Sequence, residues 1–403
     1  MNTQILKTTI IILTTDFLIA GSCSGGICGV TIPHIPTDIQ NNTQLKPFNL
    51  SNGKQTNEGY NAWGLVDNAG DNATGENRLM SGIDINSLFG TGDKLSLFGL
   101  ITSEDLLSGK LSYAYTLPWN DLIVEASYIN TNYTLEEPFP GATGIGTMST
   151  IEGKITYPLI NSEKEKLNFS LFFNTNNIEE EITSDFYITN NEKKSYTATA
   201  NIDFEIKNYQ LIDLDTDHKL SLGITTGNLS FDDIFHEEID KLGPNTQGSY
   251  TKINIDYINS ISLSSNISLD SNFKAQYALN NKNLDDSESF TIGGMNGVKI
   301  YEEGSVYDSN GLFASIEGKY KLPEFKGVKN TIGSFYDYGQ IWDSDSLTDS
   351  DNKITVKDAG IGIYTNYKKF FSKVQAAFEL GDSTIPTKDD EDYRVLFQAG
   401  MVF

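Results

Sequence analysis

Residues 392–403 read DYRVLFQAGMVF. Tyr393, Val395, Phe397, Ala399, Met401 and Phe403 alternate with Arg394, Leu396, Gln398, Gly400 and Val402. Successive side chains of a strand point to opposite faces, so the first set makes an unbroken apolar face while Arg394 and Gln398 sit on the other. An amphipathic strand of a soluble sandwich has this form. So does a strand with one side in lipid and the other in a wet interior. The rest of the chain decides between them.

From about residue 58 onward the same pattern recurs in 16 segments, each about 10–15 residues long, beginning near 60–70 and ending at 391–403. Clusters of Asn, Asp, Gly and Ser separate them. A tilted strand needs only about 9–11 residues to cross a bilayer, and bacterial barrels close on an even number of strands. Connection lengths segregate by parity. The odd connections are 71–76, 104–107, 135–145, 178–193, 232–247, 280–310, 343–353 and 382–390. The even ones, 88–92, 118–120, 263–264 and 324–327 among them, are mostly shorter, with 207–216 the longest. A soluble sandwich has no reason to sort its loops this way, whereas an outer-membrane barrel has long external loops and short periplasmic turns. The expected fold is therefore an all-β, 16-stranded antiparallel transmembrane β-barrel over 58–403.

Composition agrees. No run approaches 18 apolar residues, so no helix spans a membrane, and 20 Tyr with 22 Phe argue against disorder. The net charge of −25 excludes a nucleic-acid partner, which needs a basic face. Nearly all of that charge falls on the eight odd connections, which implies an acidic rim tempered by divalent cations at a lipopolysaccharide surface. Only Arg78 and Arg394 are arginine among 29 basic residues.

The N-terminus reads as an export signal over 1–24, with Lys7 before the apolar run Thr8–Ala20 and small residues Ala20 and Ser22 before a cleavage point. Asp16 interrupts the run, and a misplaced start codon or the remnant of a longer frame is the alternative. A short periplasmic leader, 25–57, follows. Cys23 and Cys28 with His34 do not complete a zinc set, so no metal or other cofactor is expected. No phosphate-binding loop of the Walker type exists either. His218 falls at a strand start and His236 in an external loop, where a histidine is usually solvated; neither has a serine nucleophile beside it, so catalysis is not expected.

Residues 289–323 read SFTIGGMNGVKIYEEGSVYDSNGLFASIEGKYKLP, the end of the longest connection and the strand after it. Gly293, Gly294 and Gly297 permit sharp turns and close backbone approach. In the strand, Leu312, Ala314, Ile316, Gly318 and Tyr320 alternate with Phe313, Ser315, Glu317, Lys319 and Lys321, which aims Glu317 and Lys319 into the lumen as lining residues or as an ion pair in the wall. Next comes SFYDYGQIW at 334–342, in which alternation turns Asp337 inward and Tyr336, Tyr338 and Trp342 toward lipid.

These two segments resemble the haemolysin secretion/activation family, the two-partner secretion translocators within the barrel-assembly superfamily. That family carries a Gly-Gly-x-Asn-x-Val-Arg-Gly-Tyr-like stretch on a sixth external loop that folds back into the barrel. Gly293, Gly294, Asn296, Val298 and Tyr301 match it, while Lys299 replaces the arginine and Ile300 the glycine. Phe335, Asp337 and Gly339 match the family's Phe-x-Asp-x-Gly strand motif. Weaker matches lie at 64–79, 89–106, 380–382 and 392–403, and the terminal Phe403 resembles the signal read by the barrel-assembly machinery.

The resemblance implies that Lys299 meets Asp337 inside the barrel as a loop–barrel latch, weaker than arginine would make or helped by other contacts. It implies export of a large β-rich exoprotein client, unfolded, through the lumen. The periplasmic client-binding domains of such translocators do not fit in the leader. A degenerate or split gene, a separate periplasmic client-binding subunit and a distinct mechanism stay open. The competing functions are a passive diffusion porin and a surface antigen that displays its loops.

Overall fold

The computed structural model describes residues 59–90, 92–136, 142–184, 188–211, 214–345, 353–381, 385, 387 and 391–403. The export signal 1–24, the leader 25–57, Cys23, Cys28 and His34 lie outside them. Sixteen strands form one closed antiparallel barrel. They are β1 (Gly59–Asp67), β2 (Arg78–Asn86), β3 (Asp93–Thr102), β4 (Leu107–Thr116), β5 (Ile123–Glu136), β6 (Ala142–Asn161), β7 (Glu165–Ser184), β8 (Ile188–Leu211), β9 (Leu214–Phe231), β10 (Gly248–Ser262) and β11 (Ile267–Ala278). After the longest connection come β14 (Asn310–Lys321), β15 (Val328–Trp342), β16 (Ile354–Tyr367), β17 (Phe370–Glu379) and β18 (Tyr393–Val402). The connection itself holds a two-stranded hairpin, β12 (Phe290–Thr291) with β13 (Tyr307–Asp308).

Each strand pairs with its sequence neighbours, and β1 closes on β18 from Trp63↔Val402 to Asp67↔Gln398. The alternation in β18 has the expected sense. Tyr393, Val395 and Phe397 are exposed on the outer face, whereas Arg394, Leu396, Gln398 and Val402 are buried inward. Phe403 is exposed, and its N–H donates to Ala62 O at 2.8 Å.

Several strand ends differ from the sequence reading. The residues 178–193 taken as a loop are mostly strand, since β7 runs to Ser184 and β8 starts at Ile188. Likewise β5 and β6 consume most of 135–145, and β8 and β9 most of 207–216. At 24 residues, β8 far exceeds what a bilayer requires, so the hairpin β7–β8 stands clear of it. There the wall has water on both faces, and backbone pairing continues without hydrophobic alternation.

A helix, α1 (Ile234–Leu242), occupies the connection 232–247, where none is expected. The Asp233 side chain caps it by accepting from Phe235 N. His236 on α1 is buried, not solvated, with Nε2 3.1 Å from Thr189 Oγ1 of β8. The helix lies against the rim of the tall hairpin and covers that side chain.

Candidate functional site: a loop folded into the barrel

The connection 279–309 enters the barrel from the long-loop end. Its tip is built by tight backbone geometry: Gly294 adopts φ +98°, Gly297 N donates to Gly294 O at 3.0 Å, and Val298 N donates to Ile292 O at 2.7 Å. Phe290, Ile292, Val298, Ile300, Tyr301 and Val306 then form an apolar cluster with the wall residues Phe313, Ile341 and Val356. The loop thus packs apolar side chains of its own against an apolar patch of the wall, and burial of those side chains favours the docked state. Asn296, alone among the motif residues, is exposed at the turn.

Gly339 on β15 makes room for this packing. A Cβ there would stand 2.5 Å from Ile292 Cδ1 and 3.1 Å from Val298 Cγ2. A glycine inside a strand commonly marks such an approach. The two motifs read separately in the sequence are one contact in space.

Lys299 Nζ lies 2.5 Å from Asp337 Oδ2, with the lysine 7% and the aspartate 0% exposed. The ammonium also sits 4.3 Å from the centre of the Phe335 ring, so β15 alternation sets both Asp337 and Phe335 toward the loop's lysine. Three further contacts hold the tip. Asp358 on β16, directly opposite Asp337 in the ladder, accepts from Ile300 N at 2.8 Å. Tyr301 donates its hydroxyl to Glu379 of β17 at 2.8 Å, and Arg394 of β18 donates to Tyr301 O at 2.6 Å.

The returning leg is bound across the barrel seam. Arg78 of β2 lies 2.7 Å from Asp67 and 2.6 Å from Glu303, while Arg394 also donates to Gly70 O at 3.2 Å. Both arginines of the chain therefore grip this loop. Their rarity was the one sequence signal for them; nothing local pointed to Asp358 or Glu379, which reach the tip only through strand order.

Glu317 and Lys319 point inward near the short-turn end of β14. Lys319 lies 2.8 Å from Asp270 and 3.4 Å from Glu317, and Tyr364 donates its hydroxyl to Glu317. Their partners belong to the wall. Nearer the rim, the loop's Asp308 carboxyl is pushed up to about 9 by burial and by the adjoining Asp343.

The profile of the haemolysin secretion/activation proteins ShlB/FhaC/HecB matches residues 49–364. The chain belongs to this family. A heme/hemopexin transporter protein HuxB from Haemophilus influenzae is 25% identical over 342 residues, which are 83% of this chain and 59% of that protein. The chain thus spans about half to three-fifths of the length of the curated relatives it matches. Among solved structures, CdiB from Escherichia coli superposes with a TM-score of 0.70 at 15% identity, covering 87% of this chain and 64% of that one. BamA from Haemophilus ducreyi lacking POTRA domains 1–3 gives 0.59 at 14%, covering 87% and 71%. These likenesses concern the fold. The family is one of secretion proteins and not of enzymes, and its barrel lies in the bacterial outer membrane.

Proposed function

We propose that this chain forms the barrel of an outer-membrane translocator, which exports a partner exoprotein through its lumen in two-partner secretion. The observation that carries the reading is the 279–309 loop docked in the lumen with Lys299 on Asp337. A loop that buries an apolar core against the wall is a plug, and a plug held by a few polar contacts at its tip can be displaced by a chain entering the barrel. On this reading Lys299 and Asp337 form the latch, and Glu317 with Lys319 stabilise the wall beside the path. The client is a large β-rich exoprotein that crosses unfolded. The reading also includes the export signal 1–24, the leader 25–57, and recognition of Phe403 by the barrel-assembly machinery. Contact of the acidic rim with lipopolysaccharide and client capture by a separate periplasmic subunit complete it. No catalytic step is required. The curated relative is named for haem and haemopexin, which makes haemopexin use the first physiological role to assay.

Deletion of the gene tests the reading through the secreted proteins. Loss of one large exoprotein, restored by the parent gene, is the expected result. An unchanged set of secreted proteins would refute it. Conductance of the purified barrel separates the rival porin. Small, fluctuating currents that grow when 285–305 are deleted fit a plugged translocator, whereas large steady currents fit passive diffusion.

A further inference from the structure

The loop is held at its base by a different set of groups from those at its tip. Lys193 Nζ on β8 lies 2.9 Å from Asp285 Oδ2, with both side chains more than nine-tenths buried. Lys252 on β10 lies 2.8 Å from Glu288 Oε2 and donates to Glu288 O at 2.7 Å. Gln276 on β11 donates to Glu288 O at 2.9 Å and to Ser309 O at 3.1 Å, so it ties the two legs of the loop together. Leu284 N donates to Ser309 Oγ at 2.9 Å, and Leu284 packs with Tyr250 and Ala278.

Neighbouring loops clasp the same segment. Lys282 donates to Asn245 O at 2.6 Å and to Gln247 O at 2.7 Å, both just after α1. Asn283 donates to Pro244 O and Asp345 O, and its Oδ1 accepts from Ser344 N and Asp345 N. Between base and tip lies the short hairpin β12–β13, with the pairs Phe290↔Asp308 and Thr291↔Tyr307 and a further bond from Ile292 N to Val306 O at 2.9 Å.

We propose that residues 282–288 with Ser309 are a fixed pivot, that only residues 290–307 swing out of the lumen, and that Lys193 and Lys252 are positioning residues which aim the tip at Asp337. This rests on reading the loop as a movable plug. The physical reason is an imbalance of tethers. Removing the base would strand buried charges on β8 and β10 and break the clasps to two other loops together, and uncompensated buried charge is costly. Removing the tip exposes both its ionised groups and its apolar cluster to the lumen; the ions are hydrated again, and a chain entering the barrel covers the apolar wall in the loop's place. The short hairpin is the element that joins these regions, so the chain where it leaves the base takes up the motion.

Cross-linking tests the pivot. In a Cys23→Ser, Cys28→Ser background, three cysteine pairs are made: Lys193→Cys with Asp285→Cys, Lys252→Cys with Glu288→Cys, and Lys299→Cys with Asp337→Cys. A short bis-maleimide joins each, since lysine–carboxylate partners hold their Cα atoms further apart than a disulfide spans. Single-channel recording before and after linking makes each barrel its own control for folding. The expected result is that linking either base pair leaves opening within about twofold, while linking the tip pair lowers it at least tenfold, about 1.4 kcal/mol. If a base link silences the channel as the tip link does, the pivot is wrong. If the tip link changes nothing, the plug reading itself falls and the pivot with it.

Positioning by Lys193 has its own readout. Maleimide labelling of a Val298→Cys variant, whose parent side chain is fully buried, reports undocking of the tip. Lys193→Ala should raise that labelling rate and Lys193→Arg should restore it. An unchanged rate in Lys193→Ala would remove the positioning role.

Discussion

Replacing Lys299 by arginine should hold the loop more firmly in the lumen. Lysine delivers a point charge to a single oxygen, Asp337 Oδ2. Beside it, Asp337 Oδ1 and Asp358 Oδ1 are buried. The two carboxylates stand opposite each other in the β15–β16 ladder, so one planar guanidinium has acceptors on two strands. A charge-assisted hydrogen bond contributes about 1.5–3 kcal/mol. Burial of the larger cation and loss of the optimal lysine geometry offset part of this. A net gain of about 1–2 kcal/mol remains, which corresponds to roughly a 5- to 30-fold drop in the open population.

The assay is single-channel recording of the purified Lys299→Arg barrel against the parent at fixed pH and salt. Asp358→Asn serves as a second arm: it should remove most of the gain in the arginine background while costing the parent only the weakening of its bond to Ile300 N. If Lys299→Arg opens as often as the parent, or more often, the two-carboxylate account of the latch is wrong. The structure also alters the obvious charge-reversal experiment. An aspartate at 299 facing a lysine at 337 would still meet Asp358, so the exchanged pair should recover only part of the lost closure.

Gly339→Ala should cost about 1–3 kcal/mol of docking by overpacking against Ile292 and Val298, and Gly339→Val more; faster protease cleavage within 290–307 in the folded barrel would register it. Arg394→Lys should free the tip and the 68–77 connection together, because one ammonium cannot serve both Tyr301 O and Gly70 O; thiol labelling of Val298→Cys and of Ala69→Cys, both fully buried in the parent, should then rise in parallel. The Asp308 carboxyl, raised to about 9, makes the loop base sensitive to alkali. Its folded form binds a proton that the unfolded form has released above about pH 4, so stability falls as pH rises from about 4 through about 9, and Asp308→Asn should flatten thermal unfolding across that window.

Much of this architecture can be read from local sequence. Lipid demands one apolar face, so period-two alternation in segments such as 393–403 announces both the strand and its sense. Loop lengths sorted by parity add closure. The same logic turns Asp337 inward. The reading failed where the membrane constraint ends. Glu179, Glu180, Glu181 and Lys193 looked like loop because no face there needs to be apolar, yet their backbone pairs on through the β7–β8 hairpin. Helix α1 has no sequence signature for a related reason. It is short, and it buries His236 and Asp240 while leaving Phe235 and Leu242 exposed, so it shows no apolar stripe.

Sequence by itself therefore determined the barrel, the strand count and which residues of β15 face the lumen, because each follows from neighbours along the chain. Only the tertiary structure decided what the loop touches. Asp358, Glu379 and Arg394 come from three strands after β15 and meet Lys299–Tyr301 only once the sheet has closed, and the base partners Lys193 and Lys252 lie far before the loop on the other side. Pairing between side chains so distant in sequence is fixed by register and curvature around the whole barrel, and no local pattern encodes it.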